Sequence, residues 1–194
     1  MDDPARHQIS SSCLDFLITE VLRYTAEAVA YGGRRGEEEE GAEEPQPYAG
    51  GLTLEQEMQL DTRIEALGYE VGYRLTERTA QNRVLTGEPL DAVKFICKDL
   101  WIEAFRKQVD KLQTDHRGTF VLKDSSFRWT TRYTGDSSNA TKELIGRLLQ
   151  FPRGLLKGSL ANLGHTVVIR ADYIDDKTDE LTLPEVTFNI KMLR

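Results

Sequence analysis

Cysteine is scarce in this chain, and the two residues present, Cys13 and Cys97 among 194, stand far apart. That excludes a disulfide framework and reads as reduced thiols in a cytosolic protein. Long apolar runs are missing too: the longest is a few residues, against the ~18 that a membrane span needs. The N-terminal Met-Asp-Asp-Pro-Ala-Arg-His has no apolar segment of a secretory signal, and neither end carries a lipidation motif. Histidine numbers three (His7, His116, His165), with no partners at metal-ligand spacing. Positive charge is not gathered anywhere. With 25 Lys and Arg against 32 Asp and Glu the net charge is −7, so nucleic acid and anionic lipid are poor partners. Serine-elbow, phosphate-loop, dinucleotide and zinc-protease motifs are absent as well. No catalytic constellation, cofactor or metal is expected.

What is present fits one globular domain over residues 1–194. At 22.0 kDa, with 39% hydrophobic and 29% charged residues, the chain is large enough to bury a full core. Much of its acidity sits between Gly33 and Gly51, where two Arg stand against six Glu. The segment 34–51 has almost nothing to bury, so a disordered surface loop is expected there.

Hydrophobic periodicity outlines the rest. Leu14, Leu17, Ile18, Val21, Leu22, Thr25, Ala28 and Val29 share one helical face that Gly32-Gly33 ends. A second helix starts near Thr53, whose capping-box partner is Gln56. Its face runs through Leu60, Ile64, Leu67, Val71 and Leu75, with Gly68 and Gly72 beside it. Two glycines at a spacing of four, each costing roughly 1 kcal/mol in a helix, signal either the close approach of another backbone or an interrupted helix. The third helix opens on Pro89. Val93, Ile96, Cys97, Leu100 and Ala104 form one face, and Phe95, Trp101, Ile102 and Phe105 fill others, so it should be the central helix.

The period then changes. Thr119–Asp124 and Phe127–Tyr133 read as strands joined by a Ser-Ser turn, and 109–114 reads as a preceding strand or as the end of the third helix. A leucine-rich helical region from Leu144 to Leu163 is broken or kinked by Pro152. Gly154 and Gly158 in it should let the helix pack tightly on the sheet. Strands at 166–173 and 185–192 follow, linked by an acidic turn that reads as solvated. The fold class is α+β, helices with a small antiparallel sheet. Cys97, on the apolar face of the central helix, reads as structural.

A definite order of segments carries a resemblance. It runs Gly68-Tyr-Glu-Val-Gly-Tyr-Arg-Leu-Thr-Glu-Arg78, Leu90-Asp91, Lys94-Phe-Ile-Cys-Lys-Asp-Leu-Trp101, the stretch from Lys107 to Leu122, and Arg153-Gly-Leu-Leu-Lys-Gly-Ser-Leu-Ala-Asn-Leu-Gly164. It resembles the small subunits of the transport protein particle (TRAPP), in the subunit-six branch of the BET-three-like family. The likeness covers most of 14–30 and 53–192 and is most specific over 94–122. It implies helices packed on one side of a four-stranded antiparallel sheet. It also implies a non-catalytic scaffold in the TRAPP vesicle tether and Rab/Ypt guanine-nucleotide exchange complex, cytoplasmic and peripheral at the Golgi and endoplasmic reticulum. Partners would be a BET-three-type subunit, bound through the first two helices, other TRAPP subunits and, indirectly, a Rab/Ypt-type GTPase, with no membrane insertion. On that basis Leu17, Val21, Ile64, Gly68, Val71, Gly72 and Leu75 are the expected partner interface. The same stripe could instead pack on the chain's own third helix. The acylated sister subunit carries a cysteine shortly before the third helix; here Arg83-Val-Leu-Thr-Gly87 has no thiol. The alternative on the same fold is a small-molecule or acyl-chain sensor with a closed apolar cavity beside Cys97 or Phe105.

Overall fold

The computed structural model describes residues 11–32, 52–81, 83–115, 117–130, 139–174 and 185–193. The acidic segment 34–51, the acidic turn 175–184, His7 and His116 fall outside them. The chain divides after Leu60 into two compact units.

The first unit holds α1 (Ser11–Gly32) and the opening turns of α2 (Leu54–Ala80). In α1, Arg23 bridges Glu20 and Glu27 on the exposed side. Thr25 and Val29 are buried, and the Thr25 hydroxyl donates to the Val21 carbonyl at 2.6 Å. The α2 start carries the capping box. The Gln56 N–H donates to Thr53 Oγ1 at 3.3 Å, and the Thr53 N–H donates to Gln56 Oε1 at 2.9 Å.

The second unit is built on a four-stranded antiparallel sheet of β1 (Lys111–Thr114), β2 (Thr119–Ser125), β3 (Val167–Ile174) and β4 (Glu185–Met192), in the order β1-β2-β4-β3. The pairing Leu112–Leu122–Phe188–Ala171 runs across the inner face. The next row, Lys111–Lys123–Thr187–Asp172, lies on the outer face. Alternation of apolar and polar residues in β2 sets this register, because a slip of one would bury the lysine row.

Against the inner face lies the central helix, α3 (Pro89–Phe95) continuing through a π turn (Ile96–Leu100) into α4 (Trp101–Phe105). The π turn frees a carbonyl from the helical ladder, and the Val109 N–H takes it up by donating to the Cys97 oxygen at 3.2 Å. Arg106, left-handed at φ 61°, stops the helix. The rings of Trp101 and Phe188 meet edge-on at 5.6 Å, and Phe105 packs on Phe127 at 4.9 Å. Such pairs add about 0.5–1.5 kcal/mol each beyond the area they bury.

Two sequence expectations need correction here. Residues 127–130 are a turn, not the start of a strand. Ser126 adopts φ 67° at the end of β2 and swings the chain off the sheet. Phe127 and Trp129 then both enter the aromatic cluster, and the Thr130 hydroxyl donates back to the Phe127 carbonyl at 3.0 Å. The position beside β2 is already taken by β4. The leucine-rich region is two helices, α5 (Asn139–Leu148) and α6 (Gln150–Asn162). They part at Leu149, so Pro152 sits in the first turn of α6, where a missing N–H is tolerated.

A buried charge ties the sheet to the central helix. Asp124, on the inner face of β2 and fully buried, accepts from Trp101 Nε1 at 2.8 Å and from Lys107 Nζ at 2.6 Å. Lys107 also donates to the Ser125 carbonyl at 2.8 Å and to Asp110 at 3.1 Å. Burial pushes the Asp124 carboxyl above the ordinary carboxylate range, against the pull of Lys107 and Trp101. For Lys107, burial disfavours the charge, but the bonds to Asp124 and Asp110 hold its pKa above the usual value.

Candidate interaction surface

The paired glycines do meet another backbone, and it belongs to this chain. A Cβ built on Gly68 would lie 2.1 Å from the Phe151 carbonyl oxygen, and one on Gly158 would lie 2.0 Å from that of Tyr69. Gly72 faces Leu155 and Gly154 faces Glu65 in the same reciprocal way. Four glycines, two per helix at a spacing of four, therefore let α2 and α6 cross almost backbone on backbone. This corrects two expectations. Gly154 and Gly158 face α2, not the sheet, and Gly68 and Gly72 are covered by α6.

Polar contacts lock that crossing. Glu65 of α2 accepts from Arg153, and from Lys157 Nζ at 3.1 Å. Burial favours the neutral acid, yet the Arg153 and Lys157 bonds bring the Glu65 carboxyl below its ordinary range. The Ser159 hydroxyl, fully buried, lies 3.2 Å from the Gly72 carbonyl and 2.7 Å from that of Leu155.

With one side of α2 held this way, a turn by roughly 100° about the helix axis brings up exposed apolar side chains. Leu67 is 44% and Val71 45% exposed, one turn apart. Glu70 and Arg74, 3.8 Å apart, lie beside them on the same exposed side. Of the other expected interface residues on α2, Ile64 is buried within the chain and Leu75 is half-buried. On α1, in the first unit, Leu17 is 58% exposed and Val21 half-buried. Periodicity put Leu67 on the stripe without singling it out. Its place one turn before Val71 was the available signal.

The remaining chemical candidates are quiet. Burial pushes the Cys97 thiol up to about 12, so it is no nucleophile near neutrality. The space beside Phe105 is filled by the rings of Trp101, Phe127 and Trp129 at 4.6, 4.9 and 5.3 Å. No group of three or more potential metal ligands occurs among the described residues, and no described helix is long and apolar enough to cross a membrane.

Residues 14–193 match the family model of the transport protein particle (TRAPP) component. The chain belongs to the TRAPP family. This TRAPP component is 40% identical over 130 residues to human trafficking protein particle complex subunit 6A, covering 67% of this chain and 77% of that protein. Against human subunit 6B it is 38% identical over 111 residues, 57% of this chain and 69% of the other. These likenesses place it on the subunit-six branch. Among solved structures, a trafficking protein particle complex subunit 3 from Naegleria fowleri, covalently bound to palmitic acid, superposes with a TM-score of 0.50 at 13% identity. That superposition covers 92% of this chain and 98% of the other. It confirms the expected fold, helices with a four-stranded antiparallel sheet.

Proposed function

We propose that this TRAPP component is a non-catalytic scaffold of the vesicle-tethering and Rab/Ypt nucleotide-exchange complex, working between endoplasmic reticulum and Golgi. It holds a BET-three-type subunit on the outward face of α2 around Leu67 and Val71. The carrying observation is the pair of exposed apolar side chains on a helix whose other side is clamped by Gly68, Gly72 and Glu65. A helix fixed in this way offers a preformed face, which lowers the ordering cost of association. An exposed apolar patch on a multisubunit component is a natural contact for another chain.

Co-elution with a BET-three-type subunit on size exclusion tests the reading. The wild-type pair runs as a 1:1 complex with a raised Tm, as linkage requires. Val71→Asp and Leu67→Asp separate the two chains while leaving circular dichroism and the urea midpoint of the isolated chain in place. Undiminished co-elution of both variants overturns the assignment.

A further inference from the structure

A second surface lies on the central helix. From Ala92 to Phe105 nearly every side chain is buried or half-buried, except at Lys94, Lys98 and Ile102, with Leu90 and Arg106 extending the same spacing of four. In a plain α-helix positions four apart drift by about 40° per step. The π turn at Ile96–Leu100 takes more residues per turn and removes that drift, so Lys94, Lys98 and Ile102 line up in one narrow strip.

Beside the strip runs the segment from Arg83 to Thr86, fastened to this helix at both ends. Arg83 donates to Asp99, and the Thr86 hydroxyl donates to Asp91. Three residues of extended chain reach roughly 10 Å, and eight helical residues rise roughly 12 Å, so the segment lies along the helix between these anchors. Between them Val84 is 99% exposed. Val84 thus stands wholly in water on an anchored segment, and Ile102, four residues beyond Lys98, is 40% exposed.

The charges on this surface are unevenly used. Asp91 and Asp99 are engaged by Thr86 and Arg83, and Glu103 accepts from Arg78 at 3.0 Å. Lys94 and Lys98 have no ion-pair partner among the described residues. In a chain of net charge −7 this is a local cationic strip with apolar edges. A free anion would satisfy the ammonium groups but would leave Val84 and Ile102 in water.

We infer that the strip formed by Lys94, Lys98, Ile102 and Val84 docks an acidic segment of another subunit of the assembly, its carboxylates on the lysines and its apolar side chains on Ile102 and Val84. The surface is separate from the α2 face. Charge complementarity of this kind sets specificity and register.

Carbodiimide coupling of the native TRAPP assembly containing this chain tests it, because the reagent joins an amine to a carboxylate already in contact. Isopeptide bonds from Lys94 or Lys98 to an Asp or Glu of another subunit are expected. They are lost in the K94Q/K98Q double variant, which still co-elutes with the BET-three-type subunit. Absence of such bonds in the wild-type assembly overturns the inference. Bonds confined to this chain's own Glu37–Glu44 also overturn it, as does protection of the two lysines by anionic vesicles instead of by protein.

Discussion

A Cβ added to Gly72 would lie 2.0 Å from the carbonyl oxygen of Leu155, a distance no real side chain tolerates. Both walls of this contact are backbone, so nothing can swing aside. The position therefore fixes the spacing of α2 and α6, and with it the outward face of α2.

Gly72→Ala should destabilise the chain by about 3 kcal/mol or more, at the severe end of overpacking, and Gly158→Ala should do the same from the opposite helix. Gly146, exposed in α5 with nothing within 4 Å of an added Cβ, provides the contrast. Gly146→Ala should stabilise by about 0.5–1 kcal/mol through helix propensity and a less flexible unfolded chain. Urea unfolding of the three variants distinguishes a packing constraint from a general intolerance of alanine.

Lys107→Met removes the cation from a fully buried carboxylate and should cost about 3 kcal/mol at neutral pH. With its partner gone, Asp124 is pushed further upward. A carboxyl whose folded pKa exceeds its unfolded value loses stability as pH rises between the two. The deficit relative to wild type should therefore be larger at pH 7 than at pH 5. Paired urea titrations at those values check the sign.

Glu65 carries the opposite sign, since Arg153 and Lys157 outweigh burial and hold its carboxyl below the ordinary range. Its contribution is complete above the unfolded value and is lost as pH falls through the folded one. Glu65→Gln should cost about 1 kcal/mol near neutrality, and the difference from wild type should shrink below about pH 4. Stability measured from pH 7 to 3 reads this directly.

Cys97, its thiol pushed up to about 12 by burial, should resist iodoacetamide at pH 8 in the folded chain and react on unfolding. Peptide mass mapping with and without urea gives the result. Alkylation of native Cys97 at the unfolded rate would contradict the packing around the π turn.

Much of this architecture is legible in the residues. The capping box at Thr53 and Gln56 and the proline opening the central helix are local features that the fold keeps unchanged. The alternation in 119–124 and 185–192 becomes two adjacent strands. The interface residues divide more finely. Ile64 and Val71 share one apolar stripe by periodicity, yet the first is buried and the second is 45% exposed. Residues 127–130 have strand composition but form a turn, because a left-handed Ser126 and a crowded sheet outweigh local preference.

Spacing, composition and segment order alone reveal which residues share a face, where helices begin, that α2 has a close backbone neighbour or a break, and which family the chain resembles. These follow from spacing and from conformational limits that act within a few residues. That the neighbour is α6, that its own two glycines answer those of α2, and that Val71 is left outside while Ile64 is enclosed emerge once the helices pack. Periodicity gives a side chain its angle around a helix. The occupant of that angle comes from a segment more than eighty residues away, and no local pattern encodes which one arrives.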